Sequence, residues 1–289
     1  MPIYAPSLPP RPTQDEGLAP ALVLARFDFR RLRRQKIGMF FGFAYAASLG
    51  FMAIWVYVRF LLKTSSALNG LDSLANQVLV QGPAFQASLV TLGGWLTTLL
   101  WFQVAFVGGG VIARDTLYRI RPLVYAHPVR PRDYLAAKGL FAAGLPFLIQ
   151  LPFILVPWGM SMLIAGVHGP VWATAPLRLI PAALLVSLLM GSITLGASSL
   201  ASTPRAGFGW VLGIVLGLSA LSTIAERSLS QPALGAINPL ALSAAWPDLL
   251  CGTPGPELGW IPALIGTAFH VVFWTFIATR RTQPSEAVL

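Results

Sequence analysis

Six long apolar runs constrain this chain more than any other feature of its sequence. They cover about 38–62, 84–113, 139–166, 179–202, 207–225 and 259–279. Each reaches the roughly 20 residues that a helix needs to cross a bilayer. The runs are continuous rather than alternating in polarity, which favours helices over the short strands of a membrane barrel. The sequence therefore predicts an all-α membrane protein with six transmembrane helices.

The composition agrees with this prediction. Of all residues, 55% are hydrophobic and 10% are charged, whereas soluble domains carry about 25% charged residues. The net charge of +10 follows from the excess of Lys and Arg in cytosolic loops of membrane proteins, so we predict no nucleic-acid partner. The lone cysteine, Cys251, excludes an intramolecular disulfide and a cysteine-based metal cage. We predict no metal site.

The domain boundaries follow from the same runs. Residues 1–17 are predicted to form a flexible, proline-rich tail, 18–281 the six-span domain and 282–289 a C-terminal tail. The N-terminal stretch has no basic segment followed by a short apolar one, so we expect no cleavable signal peptide. Most Lys and Arg residues fall on one side of the membrane if the N-terminus is cytosolic. This predicts a multi-pass protein of the cell (inner) membrane with both termini in the cytosol.

The segment 18–36 is predicted to be an amphipathic helix ahead of the first span. Its apolar residues recur on one face at steps of three and four: Leu18, Leu22, Ala25, Phe29 and Leu32. Its other side carries Arg26, Arg30, Arg33 and Arg34. A basic amphipathic helix normally lies in the headgroup region with its arginines on anionic lipid. The alternative is that the arginines only set the topology.

The loop between the second and third runs carries a dense block of basic residues. Its basic residues are Arg114, Arg119, Arg121, Arg130, Arg132 and Lys138, interleaved with Tyr118, Tyr125 and Tyr134. Asp115 is a suitable N-cap for a short helix starting at Thr116, and Pro122 would end that helix. Two interpretations stay open on the residues alone. Arginines and aromatics are typical anchors of a docking surface, but they also occur in solvated loops that set topology.

Several kinds of chemistry are missing from the sequence. No Asp or Glu lies inside an apolar run, whereas ion-coupled carriers usually keep ionisable groups in the membrane. No G-x-x-x-x-G-K-[ST] motif occurs, so the chain hydrolyses no ATP by that route. We therefore expect no enzyme activity and no cofactor bound by this chain. Uphill transport would need energy from another polypeptide.

Two further segments allow alternatives. The stretch 226–258, with prolines at 232, 239 and 247, is too interrupted to span and predicts a re-entrant or interfacial hairpin, or else a plain surface loop. Gly196-Ala197-Ser198-Ser199 together with His270 superficially resembles rhomboid intramembrane proteases. Ser198 lies near the end of its run and His270 near the middle, which makes the required separation of about 3 Å difficult to reach. The protease is a remote alternative.

The basic loop also carries a family resemblance. Its matching residues are Ile112-Ala113-Arg114-Asp115, Pro128-Val129, Arg132-Asp133-Tyr134-Leu135 and Lys138. These residues resemble the loop after the second span of ABC-2 type ABC-transporter permeases, which reads approximately I-A-R-D-x-x-x-G-T-L-x-L-x-x-x-x-P-V-S-R-x-x-Y-L-x-G-K. The chain departs from this pattern at several places. The G-T pair falls on Arg119-Ile120, the S-R pair falls on Arg130-Pro131, and Pro122 is an addition.

The resemblance implies the permease subunit of an ATP-driven exporter. A separate ATPase subunit would bind ATP and Mg²⁺, and a second permease copy or a homologue would complete a dimer in the bilayer. The 114–134 loop would then be a cytosolic coupling helix. Its contacts to the ATPase would come from Asp115, Tyr118, Arg119, Arg121, Tyr125 and Arg132. The alternative is a non-transporting membrane anchor or sensor whose loop recruits a cytosolic partner.

Overall fold

The structure is a computed structural model that describes residues 20–64, 95–120, 124, 130–164, 174–251 and 258–282. Every regular element within these ranges is helical. The α-helices are α1 Pro20–Arg33, α2 Lys36–Thr64, α3 Trp95–Gln103, α4 Ala113–Leu117, α5 Pro131–Ile164, α6 Ala175–Leu200, α7 Pro204–Leu229, α8 Pro239–Cys251 and α9 Trp260–Thr282. A π-helical segment, Val104–Gly108, follows α3, and a 3₁₀ segment, Pro232–Ile237, precedes α8.

Six stretches of the described residues are long and apolar enough to cross a membrane. They are Lys36–Ile54, Leu96–Leu117, Pro131–Met160, Ala175–Leu200, Pro204–Leu229 and Trp260–Thr282. The prediction of an all-α protein with six candidate spans is confirmed. The predicted N-terminal tail, 1–17, lies outside the described residues, and so does the predicted C-terminal tail, 282–289, apart from Thr282, which ends α9.

The third span begins earlier than the hydropathy indicated, at Pro131 rather than at 139. Pro131 is tolerated at the first helical position, because no intrahelical partner needs its missing N–H. Asp133 Oδ2 accepts a hydrogen bond from the backbone N–H of Arg130 at 3.3 Å. Tyr134 and Lys138 are therefore residues of a rigid helix and not of a loop.

Helix α6 lies at the centre of the bundle and packs against α5, α7, α8 and α9. Two of its glycines permit close contacts. A Cβ on Gly191 would lie 2.7 Å from Ala143 Cβ, and one on Gly196 would lie 2.6 Å from Trp274 Cε3. These glycines have the packing role that small residues usually have between membrane helices. Gly213 and Gly217 of α7 are different, since a Cβ on either would meet nothing within 4 Å.

The hairpin predicted between the last two spans is a packed helix rather than a plain surface loop. Helix α8 buries Leu242 and Trp246 against its neighbours. Trp101 Nε1 donates to Ser243 Oγ at 3.3 Å, and Trp246 Nε1 donates to Thr267 Oγ1 at 2.9 Å. These bonds tie α8 to α3 and α9, so the proline-rich segment is part of the core.

Contacts between helices define the two ends of the bundle. Ser198 near the end of α6 is bonded to Ile112 just before α4. Gly207 at the start of α7 lies against Gly109. We call this side, where α4 lies, the loop end. The far end is the side where α7 terminates at Leu229.

Candidate functional site

The basic loop leaves the bundle through a glycine-lined crossing. We call residues 109–120 the elbow. A Cβ on Gly207 of α7 would overlap the carbonyl oxygen of Gly109, so the two backbones touch directly. A Cβ on Gly108 would lie 2.5 Å from Thr194 Cγ2 of α6. The glycines let the end of the second span approach the fourth and fifth spans more closely than other residues would.

A serine from α6 caps the elbow helix. The backbone N–H groups of Ile112 and Ala113 donate to Ser198 Oγ at 2.8 and 3.2 Å. The first turn of a helix leaves such N–H groups without intrahelical partners, and a buried side-chain oxygen from another helix satisfies them here. The elbow is therefore fixed to the centre of the bundle.

The prediction that Asp115 caps a helix starting at Thr116 is wrong. The helix begins at Ala113, and its N-cap residue is Ile112. Asp115 belongs to the first turn, where a carboxylate is favourable with respect to the helix dipole. Its side chain bonds to α5, because Lys138 and Tyr134 offer it a cation and a hydroxyl.

A buried ion cluster connects the elbow to two other helices. Lys138 Nζ of α5 lies 2.9 Å from Asp115 Oδ2 and 2.9 Å from Asp28 Oδ2 of α1. Tyr134 Oη donates to Asp115 Oδ2 at 2.9 Å. Asp115, Tyr134 and Lys138 are all buried. The cluster thus joins α1, the elbow and the third span at one point.

The cluster holds two carboxylates and one ammonium group. Burial raises the pKa of the Asp28 carboxyl above its ordinary value of 3.8, against the opposing attraction of Lys138. Removing the shared cation would leave the buried Asp115 and the largely buried Asp28 with Arg114 as the remaining positive charge near both, which is less favourable than the paired state. Lys138 is therefore the residue on which the cluster depends.

The predicted partner contacts fall into three groups. Tyr118 is 63% exposed, and Arg119 and Arg132 are also exposed. Asp115 is only 7% exposed, so its carboxylate is engaged inside the chain. Arg121 and Tyr125 lie outside the described residues. We call the exposed pair that directly follows α4, Tyr118 and Arg119, the tip of the elbow.

Arg119 adopts a backbone conformation that favours glycine. Its φ is 52°, directly after the C-cap residue Tyr118 of α4. A left-handed residue after the C-cap commonly ends a helix, and glycine is the usual choice there. This is the position where the family pattern has the glycine of its G-T pair. The left-handed turn at Arg119 ends α4.

One side of helix α1 packs against other helices, and four arginines in or directly after this helix are exposed. Ala25 is buried, and the Phe29 ring lies 4.9 Å from that of Phe141, edge to face. Arg26, Arg30, Arg33 and Arg34 are exposed. Leu22 is 45% exposed, and Leu18 lies outside the described residues.

Sequence reasoning missed the structural roles of Asp28 and Lys138. Asp28 and Lys138 are 110 positions apart, and no local periodicity relates them. One signal was available, since Asp28 is the single acidic residue within a helix otherwise charged by arginines. An isolated acid on such a helix indicates a specific cationic partner.

The serine and histidine of the protease alternative are bonded elsewhere. Trp274 Nε1 donates to His270 Nδ1 at 3.2 Å, and His270 Nε2 lies 3.1 Å from the carbonyl oxygen of Ile237. Both contacts fit the neutral tautomer with its proton on Nε2. Ser198 binds the elbow instead. These bonds give both side chains structural roles.

Neither a search for metal-binding groups nor a comparison with known proteins indicates another functional site among the described residues. Within the described ranges, no group of three His, Cys, Asp or Glu side chains could hold a metal ion. No family model and no curated protein matches the chain.

Proposed function

We propose that this protein is the membrane permease subunit of an ATP-driven transporter of the ABC-2 type, with its loop end in the cytosol. One observation carries the proposal. The exposed Tyr118 and Arg119 side chains lie at the tip of a short element that is anchored to several spans at once. Aromatic and arginine side chains are the types that dominate protein interfaces. Their rigid support is what a force-transmitting contact needs.

The anchoring makes the elbow a mechanical junction. Displacing it would disturb the Gly109–Gly207 contact to α7, the Ser198 bonds to α6 and the Lys138 cluster on α5. Packed helices shift as bodies rather than deform continuously. A partner that pushes on Tyr118 would therefore tilt three spans together, which is how alternating access can be driven.

The absence of an ATP-binding motif from the sequence supports a separate energy source. ATP and Mg²⁺ would be bound by a cytosolic ATPase, and closure of that partner would press on the elbow. Asp115 then acts as a positioning residue through Lys138 rather than as a contact. Tyr118, Arg119 and Arg132 are the described contact candidates, and export is the direction that the family resemblance implies.

A second copy of the chain, or a homologue, is the other proposed partner. The outer face of α7 carries Gly209, Gly213 and Gly217 at intervals of four, and none of them meets another part of the described chain. Glycines at this spacing allow two membrane helices to approach closely. The same face carries exposed Leu216, which would lie against the partner helix or lipid.

The experiment is purification of the tagged full-length chain from its native membrane in a mild detergent. We expect an accompanying polypeptide with a G-x-x-x-x-G-K-[ST] motif and Mg-dependent ATP hydrolysis in the same fraction. Tyr118→Ala/Arg119→Ala should abolish both, and Arg227→Ala, an exposed arginine near the far end of α7, should leave them intact. Recovery of a partner without ATPase activity would favour the anchor or sensor instead.

A further inference from the structure

An apolar groove opens between α1, α2 and α5, apart from the elbow tip. Its volume is about 390 Å³, within the roughly 300–1,000 Å³ of most ligand sites. Its walls are apolar side chains, with Leu49 and Phe153 at the deep end. Gly42 leaves one wall open, since a Cβ there would meet nothing within 4 Å.

Three polar side chains, those of Arg33, Tyr45 and Gln103, interrupt these walls. Arg33, at the last position of α1, lines the mouth at the loop end and is exposed. Deeper in, Tyr45 Oη donates to Gln103 Oε1 at 2.9 Å. Gln103 is 3% exposed, and its Nε2 group makes no hydrogen bond to any residue that the structure describes. A buried amide donor with no partner indicates a missing acceptor.

The positions of these groups follow an order along the groove. Tyr45 lies about 13 Å along the axis of α2 from Lys36. Helical side chains lean toward the N-terminus of their helix. The Tyr45 hydroxyl and its Gln103 partner therefore lie nearer the mouth than the backbone of Tyr45 does. From the mouth inward, the groove offers a cation, an amide donor and then hydrocarbon.

We propose that this groove binds one anionic glycerophospholipid from the leaflet at the loop end. The lipid phosphate lies on Arg33, an ester carbonyl accepts from Gln103 Nε2, and one acyl chain runs along the walls toward Leu49 and Phe153. A glycerophospholipid carries phosphate, ester and chain in the order that the groove requires. The proposal does not depend on the ATPase partner, so its failure would leave the proposed function untouched.

The bound lipid would hold α1 against the first and third spans. Arg33 ends the same helix that carries Asp28 of the ion cluster. Acidic lipid would therefore stabilise the support of the elbow from the membrane side. Arginine near a bilayer surface is worth about fivefold in affinity for an acidic lipid, and one neutral hydrogen bond roughly two- to tenfold.

The test compares lipid binding to the purified full-length chain by native mass spectrometry. The probes are phosphatidylglycerol with ester-linked chains, its ether-linked analogue and phosphatidylcholine. We expect the ester form of phosphatidylglycerol to bind roughly two- to tenfold more tightly than the ether form. Gln103→Leu should remove this difference, because the ether lacks the carbonyl that the amide recognises.

Two matched pairs of variants test the proposed contacts of the lipid headgroup and of its acyl chain. Arg33→Gln should lower the affinity for phosphatidylglycerol about fivefold and spare phosphatidylcholine, whereas Arg30→Gln, exposed on the same helix but outside the groove, should change neither. Gly42→Leu should fill the groove and abolish the tight lipid adduct, and Gly50→Leu, also open on α2, should not. Equal binding of the ester and ether forms, or equal effects within either pair, would overturn the proposal.

Discussion

At the scale of single residues, Lys138 is the side chain on which the elbow depends most. It is the shared partner of Asp28 and Asp115. Lys138→Met should lower the free energy of unfolding by about 3–5 kcal/mol, because the buried Asp115 and the largely buried Asp28 lose the cation that they share. Thermal unfolding in detergent micelles measures this. The triple variant with Asp28→Asn and Asp115→Asn should recover most of the loss, and an equally unstable triple variant would contradict the account.

Asp28 should give the protein a specific pH dependence. Burial raises its pKa, so the folded state holds this proton more tightly than the unfolded state does. The contribution to stability is complete below about pH 3.8, the ordinary value, and is lost as pH rises through the raised pKa. The free energies of unfolding of the wild type and of Asp28→Asn should be compared from about pH 3.8 upward. The wild type should lose stability relative to the variant as pH rises, and parallel curves would refute the expectation.

At the scale of elements, the crossing of the second and fifth spans tolerates no side chain. A Cβ on Gly207 would overlap the backbone of Gly109, and neither helix can yield without moving the elbow. Gly207→Ala should destabilise the protein by about 1–3 kcal/mol, as overpacking does. Gly209→Ala, two positions along the same helix and open to space, should be neutral or slightly stabilising. Similar melting temperatures for the two variants would argue against a rigid crossing.

The sequence predicted the long elements because lipid imposes a simple rule on them. An apolar run of about 20 residues leaves a chain few alternatives to a spanning helix. The start of α5 was harder to predict, because the apolar run by which the span was placed begins only at about 139. Pro131 is compatible with the first turn of a helix, and the helix indeed starts there.

The supports of the elbow could not be predicted for a different reason. They join residues far apart in the chain: Ser198 binds Ile112 across 86 positions, and Lys138 binds Asp28 across 110. Local patterns specify which face of a helix is apolar, but not which helix it meets. Asp115 was assigned to a local cap for the same reason, since a local partner is the only one that a short window contains.

At the scale of the whole molecule, the open face of α7 should mark the contact with a second copy. In a Cys251→Ser background, Gly213→Cys should form a disulfide-linked dimer on mild oxidation in the membrane, because two such helices can approach closely at this glycine. Gly50→Cys, on the open face of α2, should stay monomeric. Electrophoresis without reductant measures both. If Gly213→Cys stays monomeric, or if the two variants cross-link equally, the open face of α7 is not the contact with a second copy.

For the whole molecule, we propose that a partner pushes on one exposed point, the tip of the elbow, and that the elbow transmits this force to several spans. Its supports converge on the elbow from α1, α5, α6 and α7. The tip itself, Tyr118 and Arg119, belongs to none of these contacts. A partner ATPase would therefore find at the tip a surface that is both accessible and firmly held.

Site-specific photo-cross-linking at position 118 tests this claim most directly. A photoreactive phenylalanine analogue replaces Tyr118 in the full-length chain in its native membrane, and Leu229 at the far end is replaced as the control, since both side chains are 63% exposed. We predict that position 118 cross-links to a polypeptide with a G-x-x-x-x-G-K-[ST] motif and that position 229 does not. No protein adduct at 118, or the same adducts at both positions, would contradict the account.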